Sequence, residues 1–358
     1  MELYFFRHER FVELYTCNFN VDSIPLSDRQ HVKVGIALLI VSLLMELLYI
    51  PCLISINKMA SNACYKLMRY IGIIDLCVIP ISGTLTGYLA INGYSFCSYP
   101  TLIYFSGSFG LGAQKQEKIN PIMSLGLYCS VSMASVILAL NRCFEMISPR
   151  LNSVIFSEEK TKFWLMAPTL YGLYFILFTT PVAFSSVHMS WFFNPFKGYN
   201  DTVGHLVNNT VEPLSLIVIY TTFCIVISVR SAANKTGQNV VQNGAKRKAQ
   251  IRSFFQVFLI SVVNVVACSI YVLMNIVPIS PLLIIIGTFG WKHLLFDHKP
   301  TGLPPVIFLT LNRTIRRDTL KMLCCGHFTG SKNKVRGNTS RQINTSNADA
   351  DSDLNTRF

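Results

Sequence analysis

Long apolar runs, broken by short polar stretches, set the pattern of this chain. Runs at about 34–56, 67–91, 122–140, 163–184, 212–229 and 254–277 come near the roughly 20 residues a membrane-spanning helix needs. A seventh, 282–296, is apolar except for Lys292 and His293; DHKPTG then interrupts it before LPPVIFLTLNR. Broken helices persist in membranes only where protein or water satisfies the backbone, so the seventh element is expected to be kinked or partly re-entrant. The third is irregular too. Cys97 lies 45 residues before Arg142, and one helix of that length would measure roughly 68 Å against about 45 Å for a whole bilayer. The charged AQKQEKINP segment (113–121) lies between them, so 122–140 is read as the span and 97–121 as an outer extension.

Composition sharpens this into an all-α membrane protein. Hydrophobic residues make up 51% and charged ones only 14%, with a mean hydropathy of +0.42; soluble domains carry about 25% charged residues. The net charge of +13 would suit nucleic acid, but its distribution excludes that reading. With these spans, 22 of the 31 Lys and Arg fall in the inner loops and tail, which puts the amino terminus outside. No signal-peptide core is seen, so the first span serves as its own signal. Eleven cysteines include no CxxC pair, and there is no HExxH motif. No metal or cofactor is expected, and Cys52, Cys77, Cys129, Cys143, Cys224 and Cys268 read as small hydrophobes. With no GxSxG or Walker pattern, an enzyme is not expected.

The domain reading is an extracellular amino terminus (1–32), a span region (33–311), an amphipathic juxtamembrane helix (312–328) and a disordered tail (329–358). Glu46, near the middle of the first span, costs roughly 2.5–3.5 kcal/mol to insert, so it should face the bundle. Gly83 and Gly87 form a GxxxG face for close helix packing. Sequons at Asn200 and Asn208 fall on the outer side and are the glycosylation candidates, whereas those at Asn234, Asn312, Asn338 and Asn344 fall inside. Cys324-Cys325 reads either as a palmitoylation site or as two unmodified thiols.

Seven motifs occur in order: LYIPCL (48–53), CYKLM (64–68), FCSYPTLIY (96–104), ILALNRC (137–143), SWFFNPF (190–196), LIIIGTFGW (283–291) and LNRTIR (311–316). Together they resemble the nematode serpentine chemoreceptors of class T. The resemblance implies a rhodopsin-like seven-transmembrane helix bundle at the plasma membrane, by family habit in a sensory-neuron cilium. It implies an external small-molecule ligand and a heterotrimeric G protein as partners, besides membrane lipid. Asn141-Arg142-Cys143 stands where rhodopsin-like receptors carry Asp/Glu-Arg-Tyr, the G protein-coupling triplet. Asn141 cannot supply the carboxylate that pairs with the arginine there. Asp75 resembles the ion-binding aspartate of those receptors, with a hydrogen-bonded bundle acid as the alternative. Pro304, Pro305 and Phe308 resemble the Asn-Pro-x-x-Tyr switch without its polar ends.

Further departures follow from the same resemblance. The family runs the FCSYPTLIY-like segment almost directly into the ILALNRC-like one, so a dozen or so extra residues split the third helix, as a retained intron would do. Rhodopsin-like receptors tie the third helix to the second outer loop by a disulfide; that loop here has no cysteine, and Cys17 with Cys97 is the pair expected instead. Tyr88, Tyr104, Trp191, Tyr271 and Asn275 are the candidate ligand-pocket residues, with plain packing the competing reading. Lys292 is poorly placed for a retinal Schiff base. A multi-span transporter or ligand-gated channel is the alternative function; it would favour inverted repeats and several buried acids.

Overall fold

The computed structural model describes residues 2–17, 23–60, 62–109, 125–179, 181–187, 189–192, 203–234, 244–276 and 303–323. Three short helices, α1 (Glu2–Phe5), α2 (His8–Tyr15) and α3 (Leu26–Arg29), precede the long α4 (Val32–Lys58). Next, α5 (Ala63–Ile79) runs through a π-helical stretch (Pro80–Leu85) into α6 (Thr86–Asn92). After a 3-10 turn (Phe96–Ser98) come α7 (Pro100–Phe109), α8 (Leu125–Ile147), α9 (Pro149–Ile155) and α10 (Glu158–Phe178). A small antiparallel hairpin, β1 (Ala183–Ser185) with β2 (Ser190–Phe192), leads to α11 (Val203–Asn234) and α12 (Gly244–Ile276). The described chain ends in α13 (Leu303–Leu311) and α14 (Arg313–Leu323).

Among the described residues, four helical stretches are long and apolar enough to cross a membrane: Leu26–Lys58, Ala63–Asn92, Leu127–Ile147 and Leu206–Arg230. The two faces of α4 show what this bundle does with its apolar residues. Gly35, Leu38, Ser42, Tyr49, Cys52 and Ile56 recur at helical spacing and are buried. Ile36, Ile40, Leu43, Leu47, Ile50 and Ile54 recur at the same spacing on the other face and are exposed. An exposed stripe so apolar is a liability in water and the expected outer face in lipid. The inner stripe is distinguished by small and polar residues rather than by greasiness, because packing drives helix association in a membrane.

Backbone proximity fixes where the first two spans meet. A Cβ added to Gly83 would lie 2.3 Å from Ser42 Cβ, and one on Gly87 would lie 2.8 Å from the Gly35 carbonyl oxygen. The GxxxG face therefore packs α4 against the π-helical stretch and α6. Ser42 Oγ and Thr84 Oγ1, 3.0 Å apart, share a hydrogen bond across this seam. In the middle, α8 packs against α5, α7, α10, α11 and α12. Its buried hydroxyls, Ser132 and Ser135, donate to the carbonyls of Tyr128 and Val131 one turn back, so they can be buried without an orphaned donor.

Several element boundaries differ from the sequence reading. α8 does not stop where the apolar run stops at Asn141-Arg142 but continues to Ile147. α10 ends at Phe178, and Ala183 and Phe184, read as the end of the fourth span, belong to the strand Ala183–Ser185. α11 begins at Val203, nine residues before the expected Glu212, so a segment read as outer loop is helix. The third inner loop shrinks as well, since α11 reaches Asn234 and α12 starts at Gly244. At α8, α11 and α12 the helix outruns the apolar stretch, because backbone hydrogen bonding continues past it once neighbouring helices support it, whereas α10 stops short of the end of its run. The segment between Phe109 and Leu125, the extra stretch of the third helix, lies outside the described residues, as does 277–302 of the seventh element.

Residues 97–109 are not a loose outer extension. Ile103 and Tyr104 on α7 are fully buried with Leu38, Leu89, Phe96 and Phe184. A Cβ on Gly107 would sit 1.8 Å from the Val182 carbonyl oxygen, so α7 is wedged beneath the approach to the hairpin.

Candidate functional site

The Arg142 end is built from three elements, α8, α9 and α12. Arg142 is only 5% exposed. Its Nε and Nη2 donate to Asn141 Oδ1 at 3.2 and 2.7 Å, and Nη1 donates to Ser253 Oγ of α12 at 3.3 Å. Nη2 also forms an ion pair with Glu145, one turn further along α8. Asn141 in turn donates from Nδ2 to Asn152 Oδ1 on α9 at 3.0 Å. A single guanidinium thus links α8 to α12, and its neighbour links α8 to the α9 connection. Arginine suits this role because its planar fork can serve several acceptors at once.

Glu145 is the residue that sequence reading missed. The carboxylate absent at position 141 is supplied from position i+3, on the same face of the helix. The signal was present as an acid three residues after the arginine, but it carries that meaning only if the helix continues past Arg142. Cys143, grouped with Asn141 and Arg142 in the sequence, faces away from this network and packs with Leu216, Tyr220 and Phe223 of α11.

A second polar centre lies deeper. Asp75 is buried, and Tyr49 Oη donates to its Oδ2 at 2.5 Å. A cavity of about 30 Å³ opens beside it, lined by Asp75, Ser135, Ser261, Asn264, Pro304 and Phe308 among others. That volume holds one or two waters or a small ion, not an organic ligand. Asp75 and the Pro304–Phe308 segment, picked out separately in the sequence, meet at this one cavity. Pro304 and Pro305 occupy the first turn of α13, where a missing amide hydrogen costs nothing.

The third region is the Cys97 end. Cys17 and Cys97 are joined by a disulfide with Cα atoms 5.5 Å apart. The staple brings the amino-terminal helices over the bundle: Tyr4, Phe11 and Tyr15 all make ring contacts with Tyr104, at 5.8, 4.8 and 5.0 Å between centroids. Trp191 on β2 donates from Nε1 to Thr86 Oγ1 at 3.1 Å and packs on Phe184. Ser186 binds across to the second span, its Oγ on the Gly93 carbonyl and 2.7 Å from Ser95 Oγ.

The candidate ligand residues therefore divide. Tyr104 and Trp191 belong to the same buried cluster, whereas Tyr88 is 48% exposed on the outer surface of α6. Tyr271 and Asn275 lie on α12, their side chains outside the described residues. Asn200 and the Cys324-Cys325 pair are outside them too. Asn208 is corrected as a glycan acceptor: it lies within α11, buried, and the Nδ2 to which a sugar would attach donates to Ser132 Oγ at 3.3 Å. At the opposite end the Asn312 side chain caps α14, accepting from the Thr314 and Ile315 amides. Ile315 and Thr319 of α14 are buried, with Thr319 beside Cys52 of α4, and its arginines are exposed, so Arg313–Leu323 is amphipathic. No group of three or more His, Cys, Asp or Glu that could hold a metal occurs among the described residues.

The chain is 23% identical over 264 residues to "Serpentine receptor class T-55" of Caenorhabditis elegans, a match covering 72% of this chain and 65% of the relative, just under two thirds of its length. Residues 1–332 match the family described as "Serpentine type 7TM GPCR chemoreceptor Srt". With every described helix inside that match, the chain belongs to the Srt family of serpentine seven-transmembrane chemoreceptors.

Proposed function

We infer that the chain is a plasma-membrane chemosensory receptor, with Met1 outside and Phe358 in the cytosol, that binds an external small molecule and activates a heterotrimeric G protein. The observation that carries this is Arg142, buried yet bonded both within α8 and across to α12. Exchangeable polar bonds across two helices let those helices separate when a partner offers the guanidinium new acceptors. The amphipathic, arginine-bearing α14 beside this end suits an anionic lipid surface.

Nucleotide exchange on purified heterotrimers of each Gα class, with the full chain in lipid nanodiscs, tests the reading. The wild type should raise exchange above the receptor-free rate, and R142A should lose most of that increment. Failure with every Gα class, together with ligand-evoked current in expressing cells, would replace the receptor by a channel. Epitope tags on the two ends of intact cells check the topology separately: tags on the same side refute it.

A further inference from the structure

The CYKLM segment lies in the first two turns of α5 and meets the Arg142 network from a further helix. Cys64 and Met68, its first and last residues, stand one turn apart on the same face. They are 0% and 3% exposed, in an apolar cluster with Leu67 of their own helix, Ile137 and Leu138 of α8 and Val257 of α12. The Cys64 thiol donates to Met68 Sδ at 3.6 Å. Its backbone is fixed as well, because the Asn62 side chain caps α5 by accepting from the Cys64 amide at 3.1 Å.

Ser253 of α12 joins this pair to the arginine. Its Oγ accepts from Arg142 Nη1 at 3.3 Å, and the same hydroxyl makes a hydrogen-bonding contact with the Cys64 side chain. The protons available set the direction of the whole chain. A guanidinium can only donate, and a thioether can only accept. The hydroxyl and the thiol between them have one proton each, so donation runs from Arg142 to Ser253, from Ser253 to Cys64 and from Cys64 to Met68. Aligned bonds in a low-dielectric interior polarise one another, which strengthens sulfur contacts that are weak alone. At the far end, Met68 lines the cavity that also holds Asp75 and Phe308. Four side chains from three helices thus connect the two polar centres.

We propose that Cys64 is a positioning residue of the Arg142 switch: by accepting from the Ser253 hydroxyl, it keeps that oxygen turned toward the guanidinium and α12 closed on α8. This rests on the receptor reading for what the switch does, whereas the link from Cys64 to Ser253 stands on the contacts alone. Without the thiol the Ser253 hydroxyl is free to rotate away, and Arg142 is left to its α8 partners Asn141 and Glu145.

Two measurements on full-length receptor in nanodiscs test this, one of them without G protein. In thermal melts, C64A and S253A should each lower the midpoint, and the double variant should lower it by clearly less than the sum, because both remove the same bond. Additive shifts overturn the proposal. In basal nucleotide exchange, C64A should raise the rate several-fold. C64S keeps one proton and its acceptor lone pairs, and should return most of the way to the wild-type rate. C64V fills the space without a hydrogen bond and should stay with C64A. An unchanged rate in C64A, or a C64V like the wild type, reduces Cys64 to packing and overturns the proposal. If C64A fails to fold, M68L takes its place in both measurements; it keeps the volume, removes the acceptor and should raise the rate by a smaller factor, and an unchanged rate overturns the proposal too. The control C224A removes an exposed thiol on α11 and should match the wild type. Non-additive melts in a receptor whose wild type activates no Gα class support the link and sink the coupling, whereas activation with additive melts sinks only the link.

Discussion

The two ends of the bundle are held together by different kinds of chemistry. At the Cys97 end the ties are a disulfide, interlocked aromatic rings, a hairpin and a backbone contact at Gly107 too close for any side chain. At the Arg142 end they are an ion pair and hydrogen bonds between long polar side chains, each replaceable by a similar group from a partner. Covalent and backbone contacts define one arrangement, whereas exchangeable polar ones allow two of similar energy. Under the receptor function proposed above, the Cys97 end is the rigid frame and the Arg142 end the one that switches.

If the Cys97 end is a rigid frame, Gly107→Val should be the most damaging change at either end. Its β-carbon has nowhere to go but into the Val182 carbonyl, so folded receptor recovered by size-exclusion chromatography should fall to near background. Recovery like the wild type would mean that α7 is not wedged. Next in size, C17S should lower stability by about 2–4 kcal/mol, the usual worth of a native disulfide. Thermal melts with and without reductant check this, since reductant should destabilise the wild type and leave C17S unmoved.

At the switching end, E145Q should act on activity more than on stability. Removing the carboxylate frees one side of Arg142, and basal nucleotide exchange should rise several-fold while the melting temperature changes little. An unchanged basal rate would show that Asn141 and Ser253 hold the arginine by themselves. Smaller still is Y104F. The Tyr104 hydroxyl is buried without a hydrogen-bond partner among the described residues, so deleting it should leave stability equal or raised by about 1 kcal/mol. The smallest effect belongs to the Lys66–Glu158 pair at 3.0 Å, where Glu158 has 82% of its side chain exposed. K66A should move the melt by no more than the equivalent of about 0.5 kcal/mol, because water screens such a pair.

What the chain order revealed, and what it hid, follows from the range of the forces involved. Hydrophobic runs of spanning length and a basic bias in the loops are one-dimensional properties, so the helical membrane architecture and the position of Arg142 could be read directly. The Gly83–Gly87 face was equally local. Helix ends were not, because α8 and α11 continue past their apolar stretches once tertiary neighbours satisfy them. That extension turned Glu145 from a loop acid into the partner of Arg142, and Asn208 from a loop residue into a buried one. Packing also decided which candidate pocket residues share a site: Tyr104 and Trp191 join one cluster, whereas Tyr88 turns outward.

By itself the sequence determined that this chain lives in a membrane as a helical bundle, because transfer of apolar surface out of water depends on composition along a run and not on what the run touches. Only the tertiary structure decided which acids and amides meet inside. A buried carboxylate takes its role from the donors that other helices bring to it, as Tyr49 of α4 does for Asp75, and that convergence is written nowhere along one strand of chain.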